Sequence, residues 1–153
     1  MRKFFLFLLF CSLSFIISCD SSDSSVIAPA GDIDLSIGTD TNCSSSHSKV
    51  GTTGLFSTFA HGVSGLLTIV DDCTIEITGF NYDGGGPQVY FYAGTNANYQ
   101  SSSAFRFSKL LTGTSFSNNS ITLVIPANKT LDDFNSLAVW CVDFNANFGD
   151  VVF

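Results

Sequence analysis

Positively charged residues are scarce in this chain of 153 residues, which has six lysine and arginine residues against thirteen aspartate and glutamate residues and a net charge of −7. A protein that binds nucleic acid neutralises phosphates with clustered lysine and arginine side chains. Such scarcity excludes nucleic acid as an expected partner. The negative charge also disfavours adsorption to anionic lipid.

Residues that hold redox cofactors are equally few. The chain has two histidines, His47 and His61, and its one methionine is Met1, whereas blue copper needs two histidines, a cysteine and a weak axial ligand. Neither the C-x-x-C-H of haem attachment nor a redox C-x-x-C occurs. We therefore predict no cofactor and no metal site.

Signatures of hydrolases are missing too. No G-x-S-x-G nucleophile elbow occurs, and strand alternation places Glu76 on a polar face rather than in the apolar pocket that a glycosidase acid needs. The run Gly84–Pro87 lacks the Lys-Ser/Thr pair and helix of a phosphate-binding loop. With Asp83, this run predicts a tight turn with positive φ between two strands. No set of catalytic residues is evident, and the sequence favours a protein that is not an enzyme.

The first twenty residues predict export. Two basic residues precede the apolar run Phe4–Ile17, which is the pattern of a signal peptide and is shorter than the roughly 20 residues that span a bilayer. The following Ile-Ile-Ser-Cys resembles a lipobox. We predict a lipoprotein signal peptide over residues 1–18 and a diacylglycerol on Cys19 that anchors the chain to a bacterial membrane, facing the periplasm or the exterior. The alternative is an ordinary secretory signal, and a eukaryotic host would secrete the protein.

Composition divides the remaining chain into two parts. Residues 19–49 are rich in Ser and Asp and predict a tether with at most short ordered pieces. Residues 50–153 predict one β domain with a single core. Short stretches of Val, Ile, Thr, Phe and Tyr between turn residues predict an all-β fold, an antiparallel β-sandwich or partly closed barrel of about eight short strands. We expect a single helical turn at Leu131–Phe134.

Period-2 alternation predicts most of the individual strands. The run Leu137–Phe144 is apolar on both faces, which predicts a central strand covered on both sides. The other predicted strands are Leu55–Ala60, Val63–Val70, Thr74–Phe80, Gln88–Ala93, Phe105–Leu111, Ser120–Ile125 and Asp150–Phe153.

Three motifs in a fixed order resemble one family. They are HGVSG at 61–65, FNYDGGGPQVYFYAG at 80–94 and LAVWCVDFNANFGDVVF at 137–153. With strand-like spacers between them, residues from about Gly54 to Phe153 resemble the DM-thirteen domain, the electron-transfer DM domain of Skeletor- and Knickkopf-like proteins. Such domains accompany DOMON and b-type cytochrome modules, so the resemblance implies a redox role.

The resemblance makes Cys141 the signature cysteine of the domain and His61, within H-x-V-S-G, its best candidate partner. A reactive thiol needs a nearby cation or helix N-terminus and access to solvent. Cys141 shares its predicted strand face with Leu137 and Val139, so a small buried residue is the competing interpretation. For His61 the competing interpretation is a turn residue stacked on an aromatic ring.

The cysteine count limits the disulfides. With Cys11 in the signal peptide and Cys19 lipidated, three thiols remain, and an oxidising compartment favours pairing. We favour a bond between Cys43 and Cys73 that leaves Cys141 free. The main rival pairs Cys73 with Cys141.

The sequence leaves two alternative functions. In the first, Cys141 and His61 carry electron transfer to a redox or envelope partner protein. In the second, the domain is a non-catalytic binding or matrix-organising module that contacts polysaccharide or a partner protein. The exposure of Cys141 distinguishes them, since an accessible thiol supports the first and a protected one the second. The candidate binding residues for the second role are Tyr82, Asp83, Tyr90, Tyr92 and Trp140, with Tyr99 as a further surface aromatic.

Overall fold

Two β-sheets pack against each other in the computed structural model, which describes residues 26–28, 31–40 and 42–153. The predicted all-β sandwich is confirmed. Cys19 and its signal peptide lie outside the described residues. The strands are β1 (Val26–Ile27), β2 (Asp32–Asp34), β3 (Thr53–Leu55), β4 (Ser57–Thr58), β5 (Ser64–Ile69), β6 (Thr74–Tyr82), β7 (Val89–Gly94), β8 (Phe105–Arg106), β9 (Thr114–Val124), β10 (Ser136–Cys141) and β11 (Ala146–Val152).

The first sheet is built around β9, its longest strand. The order β9-β6-β5-β3 is antiparallel, and β1 and β2 both pair in parallel with the other edge of β9. These two strands come from the predicted tether, so its short ordered pieces belong to the sheet. No helix within the described ranges is long and apolar enough to cross a membrane.

The second sheet has the order β4-β11-β10-β7-β8. Its central strand β10 is buried at all six positions, which confirms the prediction of a central strand covered on both sides. The strand ends at Cys141, three residues earlier than expected. The chain reverses there through Val142–Asn145, where Asn145 has a φ of 48° and its N–H donates to the carbonyl of Val142.

The single core lies between the two sheets. Inward-facing side chains come from alternate positions of β6 and β9 on one side and of β7 and β10 on the other, as the pleat of a strand requires. Leu137, Val139 and Cys141 belong to this core, whereas Ala138 and Trp140 lie on the outer face in a second, smaller cluster. The predicted division of the two faces of β10 is therefore confirmed.

Two local predictions met different outcomes. The expected helical turn is present as a 3-10 turn at Leu131–Asp133, with Thr130 as its N-cap. The expected strand Phe105–Leu111 is regular only at Phe105–Arg106. Beyond this point the pairing with β7 is irregular. The N–H groups of Phe107 and Leu111 still donate to the carbonyls of Phe91 and Val89, whereas the N–H of Lys109 donates to the carbonyl of Leu35 in the N-terminal segment.

Candidate functional site

The loop Asp83–Pro87 joins β6 to β7 and organises the candidate site. Gly84 and Gly86 have φ values of 84° and 90°, so the predicted tight connection with positive φ is confirmed. Gly85 is needed for a different reason. A Cβ there would lie 2.7 Å from Nδ1 of His61 and 3.0 Å from Oδ1 of Asp83, so glycine lets these two side chains keep their present positions.

His61 and Asp83 form a partly exposed pair beside this loop. Nδ1 of His61 lies 3.0 Å from both carboxylate oxygens of Asp83. Because an ionised carboxylate only accepts hydrogen bonds, Nδ1 carries the proton, and Nε2 is free to accept one in the neutral ring. The ring also packs on Phe148, with 4.1 Å between centroids. The alternative interpretation of His61, a turn residue stacked on an aromatic ring, therefore describes its surroundings.

The backbone of His61 is held in an uncommon conformation. Its φ is 54°, in the left-handed region that non-glycine residues seldom adopt. The carbonyl of His61 accepts the N–H of Asp83 at 3.2 Å. Backbone and side-chain contacts thus fix the histidine to the first residue of the loop.

Cys141 lies at the other end of the loop. Its side chain is fully buried, and Sγ donates to the carbonyl of Pro87 at 2.9 Å. In the described part of the chain, no hydrogen bond joins Cys141 to His61. Each is tied separately to the loop, His61 through Asp83 and Cys141 through Pro87.

Tyr82 lies between the two ends of the loop. The residue is 1% exposed, and its hydroxyl donates to the carbonyl of Gly85. Burial raises the pKa of Tyr82, and the neighbouring Asp83 and Cys141 raise it further. The phenol is therefore neutral at physiological pH.

A groove opens beside the His61–Asp83 pair. It has a volume of about 440 Å³. Its polar and apolar lining comes from the loop region and from the start of β9. The lining residues are His61, Gly62, Asn81, Tyr82, Asp83, Ser115, Phe116 and Ser117.

The predicted binding residues do not form one surface. Tyr82 and Asp83 line the groove, whereas the other three residues belong to the second sheet. There Tyr90 is the strand partner of Trp140, and Tyr92 packs against the outer cluster that contains Trp140. The expectation of exposed aromatics is also wrong in part. Tyr82, Tyr99 and Trp140 are buried, and only Tyr90 and Tyr92 are partly exposed, because neighbouring chain covers the first three.

The disulfide prediction is confirmed. Cys43 and Cys73 are bonded, and the free cysteine of the described chain is Cys141. The bond ties the N-terminal segment to the turn before β6. The rival pairing of Cys73 with Cys141 is not formed.

Sequence reasoning missed Phe148 and the carbonyl of Pro87. Phe148 lies against both His61 and the position where a side chain on Gly86 would project. Nothing in residue spacing could have found it, since the contact depends on an irregularity in β11. Only the Asp-Gly-Gly-Gly-Pro sequence, which predicted the loop, pointed to this region.

Sequence comparison finds known proteins that share part of this chain. Protein Skeletor, isoforms B/C, of Drosophila melanogaster is 42% identical over 103 residues, covering 64% of this chain and 13% of that protein. A cytochrome b561, DM13 and DOMON domain-containing protein of Arabidopsis thaliana is 26% identical over 112 residues, covering 72% of this chain and 12% of that protein. The match thus spans less than one seventh of either relative. No solved structure matches the chain.

The three sequence motifs also lie within the part of the chain that matches one protein family. The family described as electron transfer DM13 matches residues 55–153, which contain all three motifs, the glycine-rich loop and Cys141. The chain therefore belongs to the electron transfer DM13 family.

Proposed function

We propose that this chain is an exported protein, anchored to a membrane by lipid on Cys19, whose domain passes single electrons between partner proteins. The family description supports electron transfer. Complete burial of Cys141 counts against the expected electron transfer through an accessible thiol, so the proposal keeps electron transfer on the strength of the family match alone and removes Cys141 as its carrier.

Burial decides between two kinds of redox chemistry. Thiol–disulfide exchange requires a thiolate to attack a sulfur atom directly, and partner sulfur has no access to Sγ of Cys141 in the folded domain. Electron transfer through the domain needs no such contact. A reduced partner gives one electron to the domain, the domain gives one electron to an oxidised partner, and the domain returns to its starting state.

The described strands support an orientation relative to the membrane. Val26, the start of β1, lies seven positions after Cys19, and a chain of seven residue steps reaches at most roughly 25 Å. β1 pairs with Thr114 and Ser115, and Ser115 also lines the groove. A lipid on Cys19 would therefore hold the groove near the bilayer. The relative with a cytochrome b561 region in its own chain favours a membrane cytochrome as the partner.

Electron transfer is tested by photochemical oxidation of the purified mature chain in the presence of ferrous cytochrome c as the probe. We expect one haem to be oxidised for each oxidising equivalent placed on the folded domain. The denatured chain is the control for reaction with free side chains. If the folded domain oxidises no more cytochrome than the sensitiser does by itself, the proposal is overturned.

The anchor is tested separately. Metabolic labelling with a fatty acid is expected to label the wild-type protein and place it in the membrane fraction. Cys19→Ala is expected to lose both the label and the membrane association. A wild-type protein without lipid would refute the anchor and leave the electron-transfer proposal standing.

A binding role is the second candidate, favoured by the groove beside His61 and Asp83. Polysaccharide or a partner protein is the proposed ligand class. NMR titration with chitin and peptidoglycan oligosaccharides is expected to shift the amide signals of Gly62 and Ser117 if this candidate is correct. Asp83→Asn should weaken binding and Asp143→Asn, a change of an exposed carboxylate outside the groove, should not. Amide shifts on titration that are equally large in wild type and in Asp83→Asn would contradict binding in the groove.

A further inference from the structure

A second cluster of aromatic side chains lies on the outer face of the second sheet, away from the core and the groove. Its buried members are Tyr99, Ala138 and Trp140, and Tyr92 packs against them. The ring centroids of Tyr99 and Trp140 are 5.6 Å apart. Trp140 is the only tryptophan of the chain and keeps 6% of its surface exposed, so the cluster reaches the protein surface at this residue.

A buried carboxylate adjoins the cluster. Asp150 is 8% exposed, and its Oδ2 accepts a hydrogen bond from the hydroxyl of Tyr99 at 3.2 Å. The same oxygen accepts the side-chain N–H of Asn147 at 2.9 Å. Among the described residues no lysine or arginine forms an ion pair with Asp150. A carboxylate that is costly to bury is thus held by a phenol and an amide.

A β-bulge creates this arrangement. Residues three apart in a regular strand point to opposite faces of the sheet. The pairing of β10 with β11 shifts by one residue here, since Val139 pairs with Gly149 and Trp140 with Asn147. Phe148 is the extra residue, and it allows Asn147 and Asp150 to meet on the outer face. Bulges are frequent next to active sites, where they redirect side chains.

A tight turn places Tyr99 over the sheet. Thr95 and Asn98 form an isolated bridge, and the two residues between them, Asn96 and Ala97, have φ values of 53° and 56°. Positive φ is uncommon for a residue such as alanine, and strained backbone of this kind occurs at functional sites. The turn folds the chain back onto β7, where a Cβ on Gly94 would lie 2.8 Å from Cδ1 of Tyr99.

We propose that Tyr99 and Asp150 form a proton-coupled one-electron relay, with Trp140 as the aromatic contact between this pair and a redox partner at the surface. The inference rests on the proposed electron-transfer function and names the group that carries the electron.

The step moves one proton within the Tyr99–Asp150 pair and one electron from Tyr99 to an external oxidant. Tyr99 loses one electron, through Trp140, to a strong one-electron oxidant of the class of a high-valent (ferryl) haem, since a ferric cytochrome is too weak to oxidise tyrosine. The phenolic O–H bond of Tyr99 breaks, and its proton forms a new O–H bond on Oδ2 of Asp150, which becomes a neutral carboxylic acid. The product is a neutral tyrosyl radical. A reduced donor then returns one electron to Tyr99, and the proton moves back from Asp150.

The electrostatics of the pair favour this order of events. Burial raises the pKa of Tyr99, and the Asp150 carboxylate also raises it. The phenol therefore keeps its proton at neutral pH until the ring is oxidised. Cys141 lacks a comparable base, since Sγ donates to a peptide carbonyl.

Flash oxidation of the full mature chain by ruthenium tris-bipyridine and an electron-accepting quencher tests the relay. We expect a tyrosyl radical in the electron paramagnetic resonance spectrum, identified with ring-deuterated tyrosine. The signal should be lost in Tyr99→Phe and retained in Tyr82→Phe. Tyr82 is the matched control, because it is also buried but its hydroxyl donates to a carbonyl rather than a carboxylate.

Proton transfer is followed by infrared difference spectroscopy of the same wild-type protein, which requires no variant to fold. We expect a band of a protonated carboxyl group that appears and decays with the radical. Asp150→Asn should lose this band and slow radical formation by about 100-fold, the scale of a positioned general base.

A radical that persists in Tyr99→Phe, or a wild-type radical without carboxyl protonation, overturns the relay. If the domain nevertheless oxidises ferrous cytochrome c as described above, the proposed function stands and only this assignment fails. If the domain oxidises no cytochrome while the Tyr99 radical forms with its carboxyl band, the relay stands and the proposed partner chemistry fails.

Discussion

The thiol of Cys141 donates to the carbonyl of Pro87, with 2.9 Å between Sγ and oxygen. Pro87 closes the same loop whose first residue, Asp83, holds the imidazole of His61. The two residues expected to act together are therefore connected through five residues of backbone, from Asp83 to Pro87. The loop, more than either residue, is the structural unit of this site.

Burial of Cys141 predicts protection from alkylation. We expect a maleimide to label Cys141 in the native protein at least about 1,000-fold more slowly than in denaturant, since labelling requires core strands to open. Mass spectrometry after peptide digestion measures the labelled fraction. The variant Ser117→Cys places a thiol at an exposed position of the groove and should react rapidly in the folded protein. Equal labelling of Cys141 and this engineered thiol would contradict the buried placement.

Gly85→Ala should separate His61 from Asp83. The added methyl group would lie 2.7 Å from Nδ1 of His61, and the imidazole, which is partly exposed, is the group free to move. We expect the NMR signals of the ring nitrogens to shift to those of an unpaired histidine, with a loss of about 1 kcal/mol or less in the free energy of unfolding.

A double variant provides the control for this change. His61→Ala removes the imidazole, so adding Gly85→Ala to it should cost less than Gly85→Ala costs in the wild-type protein. Identical costs in both backgrounds would mean that Gly85 is not constrained by His61.

Gly94→Ala should lift Tyr99 from the outer cluster. Its Cβ would lie 2.8 Å from Cδ1 of Tyr99 and 3.0 Å from the carbonyl oxygen of Asn98, so crowding is expected to cost about 1–3 kcal/mol of stability. Trp140 would lose its cover and fluoresce at longer wavelength. Tyr99→Phe keeps the ring and should leave the emission wavelength close to that of the wild type. An unshifted spectrum in Gly94→Ala would contradict the proposed packing.

Reduction of the disulfide between Cys43 and Cys73 should destabilise the domain. The two cysteines are 30 residues apart, and the chain entropy of a loop of that length corresponds to about 3–4 kcal/mol. Denaturant unfolding with and without a reductant measures the difference. The background Cys141→Ser prevents thiol exchange and retains a donor to Pro87. Unchanged stability after complete reduction would show that the bond does not constrain the unfolded chain.

Stability should decline in alkaline solution. Burial is the largest cause that raises the pKa values of Tyr82 and Tyr99 above the ordinary 10.0. As the pH rises above 10, the unfolded chain loses these protons while the folded chain retains them, so ionisation favours unfolding. The stabilisation is fully present below about pH 10 and is lost above it. Denaturant midpoints across this range should fall less steeply in Tyr99→Phe, whereas Tyr90→Phe, at a partly exposed position, should match the wild type.

Local sequence patterns determined much of the fold. Alternation along β6 placed Ile75 and Ile77 inside and Glu76 outside, because successive side chains of a strand point to opposite faces. The apolar run at Leu137–Phe144 predicted the central strand β10, because a strand that is apolar on both faces is covered on both sides. Three ordered motifs predicted the family, and the Asp-Gly-Gly-Gly-Pro sequence predicted a turn, since glycine tolerates positive φ.

Tertiary structure alone decided which of these residues meet. The contact of His61 with Asp83 joins positions 22 residues apart, and the contact of Tyr99 with Asp150 joins positions 51 residues apart. Neither separation carries a periodic signal. The bulge at Phe148 is a shift in pairing between two strands, and pairing depends on the partner strand as well as on the strand itself. Sequence therefore determined the strands and the faces that they bury, whereas the register between strands decided the side-chain contacts on which the proposed chemistry depends.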